Sequence, residues 1–341
     1  MVNVAIIGTG FMAQTHADAY KQIDGVRLVA ITAVNKEKGQ KVADKYNCSY
    51  VEDINDLLGR DDVDVVDICT PTFTHEELVI SAAEARKHIL CEKPIALTLQ
   101  SVDRMIAATA QAGVTFMVGQ TLRFWPEYMK VKELYDNGTL GDVHVVYANR
   151  LAQHPTWGEW FRDVSKSGGG LFDLHLHDID FMCYLFGNVK SVYAIGKQNE
   201  LGAWNHVVTN LTFENGTQTA VESSYEMPEG FPFTMSLRAS GNKGTVDFQL
   251  SAGVNLENLD ESVSRFILFS NEEDEITPLK VEEIDPYVSE LTYFINCIKN
   301  EKKPEVVLPK DNREVLEVML AIERSLETNE IQYLNSVSAN K

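Results

Sequence analysis

Positive charge is scarce in this chain of 341 residues: 30 Lys and Arg stand against 50 Asp and Glu, a formal net charge of −20. A surface of that sign repels phosphate backbones, so nucleic acid is not an expected partner. A phosphate held locally by the N-terminus of a helix is still allowed. Cysteine is sparse as well. Cys48, Cys69, Cys91, Cys183 and Cys297 are odd in number, and no two share a C-x-x-C spacing. That pattern argues against a disulfide framework or a cysteine zinc site, and for a reducing compartment. Long apolar runs are missing: no stretch approaches the ~18 residues that cross a bilayer. Too few residues precede Gly8 for a secretory signal. The expectation is a soluble, cytoplasmic protein with no membrane attachment. Repeats and low-complexity tracts do not occur, and the length suggests two domains.

What is present begins with an apolar run at 4–7, followed at once by Gly8-Thr9-Gly10-Phe11-Met12-Ala13 and a helical pattern. Strand, glycine turn and helix in that order form the fingerprint of a dinucleotide-binding unit. Gly8 suits the tight turn, Gly10 lets backbone approach a pyrophosphate, and Ala13 lets the helix pack close to the strand. Further strands are predicted at 27–32, 63–69, 88–91 and 114–118, with helices at 12–22, 36–46, 75–86 and 101–111. Short, continuously apolar strands alternating with helices predict a parallel sheet covered on both faces. Past Gln120 the pattern changes. Trp125-Pro126 opens a helix that Asn137-Gly138 stops. Strand-like segments follow at 143–148, 191–195, 207–213, 218–225, 233–240, 245–250 and 265–269, with Asn215-Gly216 and residues 241–244 as hairpin turns. Two helices close the chain, near 287–299 and 311–326. The predicted fold class is α/β: a Rossmann doubly wound parallel sheet over 1–121, then an α+β domain with a mainly antiparallel open sheet over 122–341.

Two segments carry candidate chemistry. Glu92-Lys93-Pro94 follows the fourth predicted strand directly, and ligands of an open parallel sheet bind beyond the carboxyl ends of its strands. Lys93 is therefore a candidate for the reacting centre, against the blander reading of a solvated lysine. The second segment is Ser167-Gly168-Gly169-Gly170-Leu171-Phe172-Asp173-Leu174-His175-Leu176-His177-Asp178-Ile179-Asp180. On a helix, Asp173 and His177 lie one turn apart on one face, a pairing suited to acid–base work. The plainer alternatives are a helix-capping aspartate and a satisfied, partly buried histidine. Read as a strand, His175-x-His177 would present two metal ligands. The flanking apolar residues suit a helix better, and no metal is expected. Asp180 is a candidate partner or plain polar surface.

The glycine turn, the E-K-P and the G-G-G-x-x-x-D-x-x-x-H-x-x-D together resemble the Gfo/Idh/MocA oxidoreductase family over nearly the whole chain. Thr70-Pro71-Thr72 with His75 resembles its T-P-x-x-x-H loop, and Arg123-Phe124-Trp125-Pro126 its R-F-x-P stretch. Tyr287, Phe294 and the closing helices fit as well. The resemblance implies that Lys93 hydrogen-bonds the reacting oxygen and that Asp173 and His177 bind substrate and shuttle its proton. It implies a cofactor surface from Gly8, Gly10, Phe11, Met12, Ala13, Ala33, Lys36, Thr70, Pro71, His75, Glu92, Lys93, Gln120 and Trp160, the last reading equally as core. Substrate contacts are expected from Lys93, Arg123, His154, Arg162, Asp173 and His177, with a loop around Trp157. Where an acid about 20 residues past the glycines would hold the NAD ribose, this chain has Ala33. No carboxylate there repels a 2′-phosphate, and Lys36 or Lys38 offers positive charge. NAD or NADP is thus the expected cofactor, with NADP favoured. The implied activity is hydride transfer between nicotinamide and a sugar, polyol or related cyclic hydroxyl compound, by a homodimer or homotetramer. The competing readings are a non-catalytic NAD(P) sensor and a metal-dependent hydrolase built on His175 and His177.

Overall fold

The computed structural model describes residues 1–155, 158–253, 262–271 and 276–334; Trp157 lies outside them. The chain forms two compact units, Met1–Trp125 with Glu283–Glu314, and Pro126–Glu282 with Val315–Lys341. It therefore passes between units three times, where the sequence suggests a single boundary at 121/122. The difference lies in the closing helices, whose amphipathic pattern does not reveal which unit receives their apolar faces.

In the first unit, β1 (Val2–Ile7), α1 (Phe11–Tyr20), β2 (Val26–Thr32), α2 (Lys36–Tyr46), β3 (Ser49–Tyr50), α3 (Ile54–Leu58), β4 (Val65–Ile68), α4 (His75–Glu84), β5 (His88–Cys91), α5 (Leu99–Ala112) and β6 (Phe116–Val118) follow in turn. All strands pair in parallel in the order β3-β2-β1-β4-β5-β6. Val4, Ala5, Ile6, Val65, Val66 and Ile68 are fully buried, as strands covered on both faces must be. Each large one contributes roughly 1.5–3 kcal/mol of transfer free energy. Helix boundaries have local causes. The Asn35 side chain accepts from the Lys38 N–H at the start of α2, Thr98 accepts from the Ser101 N–H at the start of α5, and left-handed Gly113 ends α5. The strand order reverses between β1 and β4, and the crevice at such a switch point is where this architecture takes ligands. Only β3 and α3, too short to show a period, lie outside the sequence expectation.

The second unit holds α6 (Pro126–Asp136), β7 (Val143–Gln153), α7 (Val164–Ser167), α8 (Leu176–Phe186) and strands β8 (Val189–Gln198), β9 (Trp204–Phe213), β10 (Gln218–Met227), β11 (Phe233–Gly241), β12 (Gly244–Ala252), β13 (Val263–Ser270), β14 (Ile276–Pro278) and β15 (Gln332–Tyr333). The nine strands run β14-β13-β12-β11-β7-β10-β9-β8-β15, antiparallel except for β7 against β10. Burial alternates along β9, β11 and much of β12, as in a sheet covered on one face. The remaining helices are α9 (Pro286–Lys299), in the first unit, and α10 (Pro309–Thr328), which runs from one unit into the other.

The segment before α8 departs from expectation. Leu171–His175 is a π-helix, and α-helical geometry begins at Leu176. Asp173 and His177 thus belong to turns of different pitch, and the regular one-turn relation predicted for them does not apply. Wide turns of this kind recur at functional sites. Gly170 feeds the segment, and a methyl group there would lie 2.9 Å from Asn205 Oδ1. The glycines let this backbone press against β9.

Candidate active site

In the first unit, Gly8 ends β1 with φ +125°, and a methyl group on it would stand 2.2 Å from the Cys69 carbonyl oxygen. Only glycine meets both conditions. Gly10 is different: its φ is −71° and an added methyl group meets nothing within 4 Å. Internal packing does not require glycine there, whereas a ligand lying against the backbone does. Gly10 is the N-cap of α1, makes no side-chain cap, and no acid stands in the first turn. The N–H groups of that turn suit an anion. These features fit a dinucleotide pyrophosphate. Ala13 is buried, Met12 half-buried and Phe11 exposed.

Ala33 and Lys36 stand at the end of β2 and the start of α2, and Lys36 Nζ pairs with Glu52 at 2.5 Å. The positive charge that favours NADP on sequence grounds is thereby offset by a carboxylate that sequence spacing did not reveal. In the loop after β4, Thr70 and Pro71 are half-buried, and Thr70 Oγ1 lies 2.7 Å from Thr74 Oγ1. His75 is fully buried. Its Nδ1 is 2.9 Å from the Pro94 carbonyl and its Nε2 2.9 Å from the Thr70 carbonyl. Burial holds its pKa below the ordinary value, and the ring ties the loop after β4 to the turn after β5 instead of offering a nitrogen to cofactor.

Lys93 is half-buried just past the carboxyl end of β5, and its N–H donates to Glu92 Oε2 at 3.1 Å. Glu92 is buried, with Oε1 3.0 Å from His16 Nε2. Gln120 is also buried and donates to Asn312 Oδ1 at 2.8 Å. Arg123, expected at substrate, is 3% exposed. Its Nη1 donates to the Val306 carbonyl at 2.7 Å and lies 3.3 Å from Asp311 Oδ2. Its job in this unit is to hold the segment leading into α10. The sequence could not show this, because the partners lie more than 180 positions away.

In the second unit, Asp173 is buried in the π segment and accepts from the Tyr225 hydroxyl at 2.5 Å. Burial and the neighbouring Asp173 push the Tyr225 phenol well up, so it stays a donor. The His154 ring lies 6.4 Å from Tyr225 and 6.2 Å from Phe161, and its Nδ1 is 3.0 Å from the Pro155 carbonyl. Trp160 is half-buried, edge-on to Phe161 at 5.7 Å, and Arg162 is exposed. His177 is half-buried in the first turn of α8. Beside it, buried Asp178 takes a two-pronged contact from Arg150, 2.8 Å from Nε and 3.1 Å from Nη2, which pins that turn to β7. Nothing local in the sequence marks Tyr225 or Arg150 as neighbours of this segment. Strand register brings them there.

His175 is fully buried between two hydroxyls, Nε2 2.8 Å from Thr209 Oγ1 and Nδ1 2.8 Å from Ser223 Oγ. Burial lowers its pKa to about 3, so the ring is neutral and fastens the π segment to β9 and β10. With both nitrogens occupied it is no metal ligand, which removes the basis of the hydrolase reading. Among the described residues, the group close enough to hold a metal is His16, Asp67 and Cys69. Those three are already joined by short polar contacts: 2.8 Å from His16 Nδ1 to Asp67 Oδ2 and 3.3 Å from Cys69 Sγ to Asp67 Oδ1. Their sequence separation hid the cluster.

A parallel sheet in the order 3-2-1-4-5-6 with a glycine turn before an anion-ready helix defines a dinucleotide-binding protein, here joined to a second, open sheet. The model of the oxidoreductase family with NAD-binding Rossmann fold matches residues 2–120, and that of the GFO/IDH/MocA C-terminal domain matches residues 128–247. The chain is 31% identical to the myo-inositol 2-dehydrogenase of Thermotoga maritima over 337 residues, 96% of each chain. It is 27% identical to the 2,7-anhydro-N-acetylneuraminate hydratase of Mediterraneibacter gnavus, over 100% of this chain and 87% of that one. A solved structure from Desulfitobacterium hafniense, provisionally named an NADPH-dependent oxidoreductase, superposes with TM-score 0.87 at 27% identity over 97% of both chains. The chain belongs to the Gfo/Idh/MocA oxidoreductase family, and its several relatives named inositol dehydrogenases support a dehydrogenase acting on CH–OH. No helix among the described residues is long and apolar enough to cross a membrane.

Proposed function

We propose that this dehydrogenase oxidises a CH–OH group of a sugar, polyol or related cyclic hydroxyl compound, or reduces the matching carbonyl, with Lys93, Asp173 and His177 as its catalytic residues. The observation that carries the reading is Lys93 just past the carboxyl end of β5, in a sheet whose switch point lies between β1 and β4. Similarity to the Thermotoga maritima myo-inositol 2-dehydrogenase over 96% of both chains supports the substrate class. A bound nicotinamide supplies the hydride acceptor or donor. His177 takes the hydroxyl proton during oxidation and returns it during reduction. The Lys93 ammonium stabilises the alkoxide that develops as the proton leaves. Asp173, oriented by the Tyr225 hydroxyl, binds a neighbouring substrate hydroxyl. Gly10 and the first turn of α1 hold the pyrophosphate, and Ala33 admits either ribose, so the cofactor is NAD or NADP. The homo-oligomer expected from the resemblance is open to light scattering.

The test is a screen of inositols, sugars and related polyols with NAD and with NADP, followed at the reduced-nicotinamide absorbance band. We expect turnover on at least one cyclic polyol. Lys93→Ala and His177→Ala should each lose turnover by orders of magnitude while dinucleotide still binds. Near-normal turnover in either variant removes that residue from the mechanism. Dinucleotide binding without turnover on any compound would instead support a non-catalytic sensor.

A further inference from the structure

Beneath the E-K-P turn lies a set of buried ionisable groups that hydride transfer does not itself use. His16, on α1, is fully buried, with Nδ1 2.8 Å from Asp67 Oδ2 on β4 and Nε2 3.0 Å from Glu92 Oε1 beyond β5. The first contact is a hydrogen bond. The second is Coulombic, since neither Nε2 nor Oε1 makes a directed hydrogen bond. The other oxygen of Glu92 accepts from the Lys93 N–H at 3.1 Å, and the other oxygen of Asp67 accepts from Cys69 Sγ at 3.3 Å. From α9, the Tyr287 ring stands 6.1 Å from the imidazole, and Glu290 accepts from Thr121 Oγ1 at 3.0 Å. Tyr20, on α1, is also buried there; its burial first, then the nearby Asp67, push its phenol well up.

We infer that His16 is a positioning residue for Lys93: held by Asp67, it anchors the Glu92 carboxylate, which in turn fixes the backbone from which the Lys93 side chain projects. The inference rests on the reading of Lys93 as catalytic. Two buried carboxylates facing one imidazole are strongly unfavourable unless a positive charge lies between them. Burial, the largest single influence, lowers the imidazole pKa, but Asp67 and Cys69 together outweigh it and hold the pKa well above the ordinary value. A cationic ring thus joins β4, α1 and the end of β5. Glu92, expected from the sequence to face the cofactor, spends one oxygen on this cation and the other on Lys93. Without the cation, Glu92 loses the counter-charge that holds its carboxylate, and the lysine's support moves with it. Displacing a catalytic group by even about 1 Å can cost on the order of 100-fold in rate.

The experiment compares wild type, His16→Asn and the near-isosteric Glu92→Gln, well below their melting midpoints. Turnover is measured on the polyol that the screen supplies. Independently of turnover, trace acetylation by acetic anhydride is read by peptide mass as the ratio of Lys93 to exposed Lys303. We expect kcat to fall about tenfold or more in both variants with KM little changed, and the Lys93 ratio to shift several-fold. A merely structural role lowers stability without moving that ratio. Should His16→Asn not fold, Glu92→Gln carries the test alone. An unchanged Lys93 ratio in a folded variant overturns the inference. Full turnover by Lys93→Ala overturns the catalytic reading instead, and leaves a shifted ratio as evidence for the positioning.

Discussion

Glu290 is the residue whose chemistry is least visible in its own neighbourhood of the sequence. It stands on α9 between Ser289 and Leu291, as a surface carboxylate would, yet it is fully buried. Burial first, then the nearby Glu92, raise its pKa from 4.5 to about 8. The folded protein therefore holds a proton that the unfolded chain releases above about 4.5. Its contribution to stability is complete below that pH and is lost as pH rises through about 8, at on the order of 1 kcal/mol per pH unit. Glu290→Gln mimics the neutral acid and should flatten the fall in melting midpoint between pH 6 and 9; an equally steep fall would show that Glu290 does not titrate there. His175 works in the opposite sense. Its pKa is depressed from 6.5 to about 3, so the stability it contributes is present above 6.5 and lost as pH falls toward 3. His175→Gln should be less stable at pH 7 and less sensitive to acid, as urea unfolding from pH 7 to 4 would show.

At the scale of elements, the β1–α1 turn separates a glycine that folding requires, Gly8, from one that the proposed dinucleotide binding requires, Gly10. Gly8→Ala puts a methyl group against the Cys69 carbonyl at a φ that side chains avoid, and should destabilise by several kcal/mol. Gly10→Ala meets no protein atom. It should leave the melting midpoint within a degree or two (about 0.5 kcal/mol) while weakening NADH and NADPH binding tenfold or more (about 1.4 kcal/mol). Equal loss of stability in both variants would remove the distinction, and titration of reduced-nicotinamide fluorescence reads the binding. The parallel sheet was legible because its strands are short, apolar and set off by turn residues, so 88–91 and 36–46 match β5 and α2 residue for residue. The π-helix at Leu171–His175 was not. Its residues have the apolar pattern of an ordinary helix, and the extra width comes from fastening His175 to Thr209 and Ser223, over 30 positions away. The same limit hid Tyr225, the Arg150–Asp178 pair, and the contacts of Arg123 with the Val306 carbonyl and Asp311, while His75, read as a cofactor contact, meets the Thr70 and Pro94 carbonyls.

At the scale of the molecule, the chain leaves the nucleotide-binding unit after Trp125, returns at Glu283 and leaves again after Glu314. The proposed chemistry has the same division: Lys93 belongs to one unit, Asp173 and His177 to the other. That they serve a single reaction is the central claim, and a double-mutant cycle tests it most directly. On the polyol found by the screen, kcat/KM is measured for wild type, Lys93→Ala, His177→Ala and the double variant. Groups that act on one transition state are strongly non-additive. The account predicts that the double variant is little slower than the slower single one. Losses that simply multiply would contradict it.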